Sequence, residues 1–168
     1  RNKQNQITGL YFRSTLNEKE SKHYYLKDRQ GLYPHYPNSR AKKLILCEAI
    51  IDGATLLQVP EITADYEILS LYGTNGLTEE HQTAIKELIE LEEIILFFDG
   101  DNAGKEAINK YGKLLQEQKP QTKISIVETP KNEDINSLRQ GHEAGILIHL
   151  LSERKAFIEQ KLSEVKEE

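Results

Sequence analysis

The chain has 168 residues, which suits one domain with small additions, and 38% of them are hydrophobic, enough for a packed core. A formal charge of −5 argues, taken whole, against a nucleic-acid partner, and the single cysteine, Cys47, excludes an internal disulfide framework and a cysteine-rich zinc site. No apolar run reaches membrane-spanning length and nothing reads as a signal peptide, so the cytoplasm is the expected compartment and no membrane partner is expected.

The charge is unevenly spread. Residues 1–43 hold ten Lys or Arg against three acids, a net +7, and residues 44–168 hold twelve against twenty-four, a net −12. A basic arm beside an acidic body fits a site where phosphates meet a metal held by carboxylates. A solvated basic surface is the plainer explanation. The chain begins at Arg1 and has no Met, which reads as a piece of a longer protein.

In chain order, residues 7–12 and 23–26 read as short strands, and the Asp28-Arg29-Gln30-Gly31 stretch between Leu26 and Leu32 as a turn. Residues 1–42 therefore form a small, basic antiparallel element. From Lys43 the pattern changes. KLILC at 43–47 is an apolar strand, 52–58 a brief helix, and EILSL at 67–71 a second strand. Thr78 caps a helix running to about Leu91, with Glu79 and Glu80 in its first turn. EIILFF at 93–98 is the third strand, Asp101 or Asn102 caps a helix to about Gln116, and KISIV at 123–127 is the fourth strand. Apolar strands alternating with helices predict an α/β fold with a parallel four-stranded sheet covered on both faces. Right-handed crossovers then gather the strand-to-helix loops on one edge, where ligands bind. Leu147, Leu151, Ile158, Leu162 and Val165 follow helical spacing, so 145–166 reads as an amphipathic helix. The expected units are 1–42, 43–141 and 142–168.

Glu48 follows the first strand of the sheet, and Asp99-Gly100-Asp101 follows the third. Parallel topology delivers all three carboxylates to the same edge, where they repel one another unless a cation sits between them. Oxygen-only ligands suit Mg²⁺ or Mn²⁺ and not zinc. An Asp at a strand end is also a common helix cap, which competes with the ligand reading for Asp101. Gly100 is expected to ease a tight turn. Lys105, in the first turn of the following helix, can reach a phosphate or lie solvated on the surface. Tyr24, Tyr25, Tyr33 and Tyr36, interleaved with Lys27, Arg29 and Arg40, can stack bases or pack turns.

KLILCEAIIDGATLLQ at 43–58 resembles the first motif of Toprim domains, an apolar strand followed by Glu, three residues and Asp. FFDGDNAGKEA at 97–107 resembles the second, Asp-x-Asp-x-Ala-Gly after an apolar strand. LYGTNGLTEEH at 71–81 and PKNEDINSL at 130–138 resemble the Gly-Thr loop and the Glu-Asp-Pro-Asp segment of bacterial DnaG-type primases. The likeness runs in order over 43–141 and extends loosely into ITGLYFRST (7–15) and HYYLKDRQGLY (23–33).

What the resemblance implies is a Toprim-type fold and RNA primer synthesis during DNA replication. The substrates would be ribonucleoside triphosphates, the template single-stranded DNA, and the partner a replicative helicase reached through regions outside this chain. Position by position, Glu48, Asp99 and Asp101 would be catalytic, these three and Asp134 would hold the metal, and Asp52 would be a supporting acid. Arg13, Gly73 and Thr74 would bind nucleotide or nucleic acid, with Lys105 beside them. Two positions depart. Asn136 stands where the family has its second Asp of Glu-Asp-Pro-Asp, and Tyr24 where it has the Lys of Lys-Tyr-Leu, so Lys22 or Lys27 would have to supply that charge. The rival readings are a Toprim nuclease or topoisomerase, a noncatalytic nucleic-acid-binding module with a degenerate acidic site, and a receiver-type phosphoacceptor domain. The last wants an acidic pair after its first strand and a lysine after its last, which Cys47-Glu48 and Val127-Glu128 do not supply.

Overall fold

The computed structural model describes residues 1–15 and 23–158. A two-stranded antiparallel ribbon, β1 (Tyr11–Arg13) and β2 (His23–Tyr25), precedes the main sheet. The sheet contains β3 (Lys43–Cys47), β4 (Glu67–Ser70), β5 (Glu93–Phe97), β6 (Lys123–Ile126) and β7 (Lys155–Ala156), in the order β4-β3-β5-β6-β7. The first four are mutually parallel, as expected. β7 adds a fifth, antiparallel edge strand beside β6.

The parallel strands are apolar almost throughout because both faces are covered. Side chains alternate. Leu44, Leu46, Ile94, Leu96, Ile124 and Ile126 enter one core layer with helices α3 (Glu79–Lys86) and α4 (Asn102–Gln118). Ile45, Cys47, Ile68, Ile95 and Phe97 enter the other. That second layer is closed by α1 (Ile50–Leu56), α2 (Pro60–Thr63), α5 (Ile135–Gly141) and α6 (Gly145–Ser152).

The first strand, expected over 7–12, is confined to Tyr11–Arg13, and the helix expected over 52–58 runs Ile50–Leu56. Two further boundaries also differ from expectation. α3 ends at Lys86, although Leu88 and Leu91 continue the apolar pattern. The Lys119 ammonium donates to the Leu88 carbonyl at 2.6 Å and meets a carbonyl beyond the helix end that has no intrahelical partner. The segment predicted as one helix over 145–166 is helical to Ser152 and then turns into β7. Arg154 forms a two-pronged contact with buried Glu93 at 2.9 Å on each arm. Phe157 packs so closely on Gly112 of α4 that a Cβ there would stand 2.6 Å from its ring. Leu162 and Val165 lie outside the described residues.

The basic N-terminal portion is fastened to the sheet. Leu32 is buried in the main core. The Ser70 N–H at the end of β4 donates to the Tyr33 carbonyl at 3.0 Å. Glu80 of α3 accepts from the Gly31 N–H at 2.7 Å and from the Tyr36 hydroxyl at 2.5 Å.

Candidate active site

The C-terminal ends of β3 and β5 lie level, with Cys47 paired to Phe97. Glu48 and the Asp99-Gly100-Asp101 loop therefore leave the sheet side by side. The loop after β4 joins them: the Gly73 N–H, on a residue with φ of +92° that favours glycine, donates to the Glu48 carbonyl at 2.9 Å. The loop after β6 is stitched to Gly100, whose N–H donates to the Glu133 carbonyl at 2.8 Å and whose carbonyl accepts from the Asn132 N–H at 3.1 Å. A Cβ on Gly100 would fall 1.9 Å from the Pro130 carbonyl oxygen. Glycine is required there for close approach of two loops and not, as expected, for a tight turn.

Four acids share this edge and one electric field. The Glu48 carboxyl is pushed up to about 7 by burial first, then by the charge of Asp99, with smaller contributions from Asp101 and Asp134; a hydrogen bond from the Asp99 backbone offsets part of the rise. Asp99 is raised to about 6 by burial, then by Asp134 and Asp101. Glu48 Oε2 is buried and has no hydrogen-bond partner. The convergence is looser than a closed cage. Among the described residues, no group of three His, Cys, Asp or Glu side chains is close enough to hold a cation by itself. Asp101 also caps α4 through the Gly104 N–H at 2.7 Å, and Asp134 caps α5 through the Ser137 N–H at 2.6 Å, so one oxygen of each carboxylate is engaged in a cap.

Asp52 behaves differently. It is 2% exposed, and its two oxygens accept the Ala49 N–H at 3.2 Å and the Asn136 N–H at 3.3 Å. It ties the turn carrying Glu48 to the loop carrying Asp134. Burial first, then Asp99 and Asp134, raise it to about 7. The Asn136 side chain, at the position departing from the family pattern, accepts from Thr55 Oγ1 of α1 at 3.3 Å.

Arg13 and His23 of the ribbon, with Tyr25, Glu48, Asp52, Tyr72, Gly73, Asp99 and Asp134, line one open cleft of about 360 Å³. Asp101 faces a smaller recess beside it, with Asp99, Glu133 and Asp134. Lys105 lines a depression on the other flank of the Asp99-Gly100 loop, with Glu128 and Thr129. Thr74 is not part of the cleft wall; its carbonyl accepts the Tyr111 hydroxyl at 2.9 Å. Lys27 is exposed at the end of the ribbon and lines none of these recesses. Lys22 lies outside the described residues.

Sequence reasoning missed two residues of the cleft wall, Tyr72 and His23. Tyr72 stands edge-on to Tyr25, with ring centroids 5.5 Å apart, and the Arg29 guanidinium lies 4.9 Å from the Tyr25 centroid and 5.5 Å from that of Tyr72. His23, exposed on β2, joins the wall with its Nδ1 2.8 Å from the Tyr11 hydroxyl. Only docking of the ribbon brings these rings to the acids, although the interleaving of Tyr and Arg in residues 24–36 hinted at it.

A family model described as Toprim-like matches residues 45–139. The DNA helicase/primase of Enterobacteria phage T3 is 27% identical over 123 residues, 73% of this chain and 19% of the phage protein. A DNA primase domain from Pseudomonas aeruginosa superimposes with a TM-score of 0.76 at 19% identity, over 94% of this chain and 50% of that one. The Aquifex aeolicus primase structure, with zinc-binding and RNA polymerase domains, gives 0.69 at 15% identity, over 96% and 40%. This chain thus spans about a fifth of the phage relative and half or less of the two solved primases. The matched segment covers more than half of the chain and contains every acid of the cleft, and on that basis the chain belongs to the Toprim-like family.

Proposed function

We propose that this chain is the catalytic core of a DNA primase, joining ribonucleotides into an RNA primer on single-stranded DNA. The observation that carries the reading is the meeting of Glu48, Asp52, Asp99 and Asp134 with Arg13 in one open cleft at the C-terminal sheet edge. The phage helicase/primase relative and the likeness of fold to bacterial primases support it.

An all-oxygen donor set with an orphaned buried Glu48 oxygen fits Mg²⁺ or Mn²⁺ better than any softer metal. Glu48, Asp99, Asp101 and Asp134 are the residues that would hold it. When bound by these residues, such an ion would supply neutralisation of charge on phosphoryl oxygens and a lowered pKa for an attacking hydroxyl. The open arrangement suits an ion completed by water and substrate phosphate. Arg13 on the cleft wall pairs with a nucleotide phosphate, and the Gly73 turn holds the backbone of Glu48 in place. Glu48 Oε2 either joins the ligand set or accepts the proton of the attacking 3′-hydroxyl. Asp52 orients the two loops. A replicative helicase partner would be reached through regions outside these 168 residues.

The test is primer synthesis on single-stranded DNA by the complete gene product, wild type against Asp99→Asn and Asp101→Asn. Each substitution is expected to lower the rate by about a hundredfold or more with the circular dichroism spectrum unchanged. Undiminished synthesis by both variants, or metal-dependent cutting of DNA without primer formation, would refute the reading.

A further inference from the structure

Residues 71–78 join β4 to α3 without regular structure, yet they shape one side of the acidic cleft. Tyr72 stands in the cleft wall, and the Gly73 N–H donates to the Glu48 carbonyl. A loop with no backbone ladder of its own must be placed by side chains that reach its ends.

His81, in the first turn of α3, does this. It is 0% exposed and lines no part of the cleft. Its Nδ1 lies 3.3 Å from the Thr78 backbone nitrogen and 2.7 Å from Thr78 Oγ1. A backbone N–H can only donate, so Nδ1 is the unprotonated, accepting nitrogen. The proton therefore sits on Nε2, which donates to the Ser70 carbonyl at 3.0 Å. The remaining groups agree: the Thr78 hydroxyl donates to Nδ1 and accepts the His81 N–H at 3.3 Å. Burial lowers the pKa of the ring, opposed in part by the Ser70 bond and the Glu80 charge. One imidazole thus ties the last residue of β4 to the N-cap of α3, the two ends of the loop.

The same ring supports Tyr72, which stands edge-on to it with centroids 5.3 Å apart. Tyr72 carries that support to the N-terminal portion. Its hydroxyl donates to the Gly31 carbonyl at 2.6 Å, and its ring stands edge-on to Tyr25 of β2. Both polar groups of Gly31 are then held from the first turn of α3, the N–H by Glu80 and the carbonyl by Tyr72.

We propose that His81 is a positioning residue for the cleft: carrying its proton on Nε2, it fixes residues 71–78 so that Tyr72 and Gly73 hold the ribbon wall and Glu48 at the separation the reaction needs. The kinetic consequence rests on the primase reading; the geometry does not. Misplacement by about 1 Å, even far from the reacting atoms, can cost about a hundredfold in rate.

Conservative variants divide the contacts of the ring. His81→Gln keeps an amide N–H in reach of Ser70, His81→Asn keeps an amide oxygen in reach of Thr78, and His81→Ala keeps neither. Primer synthesis by the complete gene product is measured below the melting temperature of each variant. His81→Ala is expected to lower kcat by at least about tenfold while KM for ribonucleotide changes less than about threefold, because His81 touches no substrate. His81→Gln should recover most of the loss and His81→Asn should not, since only the first keeps the tie to β4. Long-range nitrogen–proton NMR of the chain at neutral pH should find the His81 proton on Nε2. Mn²⁺ titration of the chain gives a readout apart from activity: His81→Ala should bind about tenfold more weakly, and His81→Gln like wild type. Lowered melting temperatures with wild-type kcat and wild-type Mn²⁺ affinity in His81→Ala assign the ring to packing and overturn the proposal. A proton found on Nδ1 overturns it too. If His81→Ala does not fold, wild-type kcat in His81→Asn overturns it. Wild type that makes no primer overturns the primase reading alone, and the Mn²⁺ comparison then decides the proposal.

Discussion

Asp52 engages both carboxylate oxygens with backbone N–H groups, while Glu48 leaves a buried oxygen with none. Two acids four residues apart therefore do different work, one orienting loops and one facing the cleft. Both are raised to about 7 and Asp99 to about 6, burial being the largest cause in each. In the unfolded chain such groups titrate near about 4. Between those values the folded chain holds protons that the unfolded chain releases, so stability falls as pH rises through the window. The metal-free chain should melt at a lower temperature at about pH 8 than at about pH 5. Asp99→Asn removes one of the repelling charges and should flatten that dependence. Saturating Mn²⁺ at the higher pH should raise the melting temperature of wild type, since it binds only the folded state. A melting temperature that climbs steadily from the lower pH to the higher one would reverse the sign of this account. The acids themselves were legible in the sequence because each follows an apolar run or opens a helix. The division of labour between Asp52 and Glu48 was not, because it depends on which backbone N–H groups tertiary folding brings within reach.

At the scale of elements, β3 and β5 were readable because a strand covered on both faces has little choice but an unbroken apolar run. Edge strands leave a weaker mark. β7 is two residues long, and the periodicity of Leu147, Leu151 and Ile158 conceals it. What holds β7 is Arg154, whose partner Glu93 sits 61 residues earlier, on β5. Burial alone would raise the Glu93 carboxyl, but hydrogen bonds from Arg154 and Ser125 and the Arg154 and Lys123 charges more than offset it, so it lies below the ordinary range. Arg154→Ala strands a carboxylate whose side chain is 8% exposed and should cost about 3 kcal/mol in urea denaturation at neutral pH. The loss should shrink as pH falls and Glu93 is protonated, because a depressed carboxyl contributes its stability above the unfolded pKa and loses it below. An Arg154→Ala variant as stable as wild type at neutral pH would show that β7 is held by Phe157 packing alone.

At the scale of the molecule, a basic N-terminal portion is bound to an acidic α/β body so that opposite charges face one cleft. The two portions pack against one another. Leu32 belongs to the core of the sheet, and Glu80 anchors Gly31 and Tyr36. The charge asymmetry was visible in the sequence, whereas this anchoring was not, because contacts such as Gly31 to Glu80 span 49 residues and follow no local pattern. The joining of the halves puts Arg13 beside the acids, and the whole account depends on those acids holding a divalent ion. The most direct measurement is a Mn²⁺ titration of the chain, read by the electron paramagnetic resonance of free Mn²⁺, for wild type, Asp99→Ala and Asp101→Ala. Wild type should bind weakly, because substrate phosphates are missing from the ligand set, and each substitution should weaken binding by about tenfold or more. Equal binding by all three proteins would contradict the assignment of the metal to this edge.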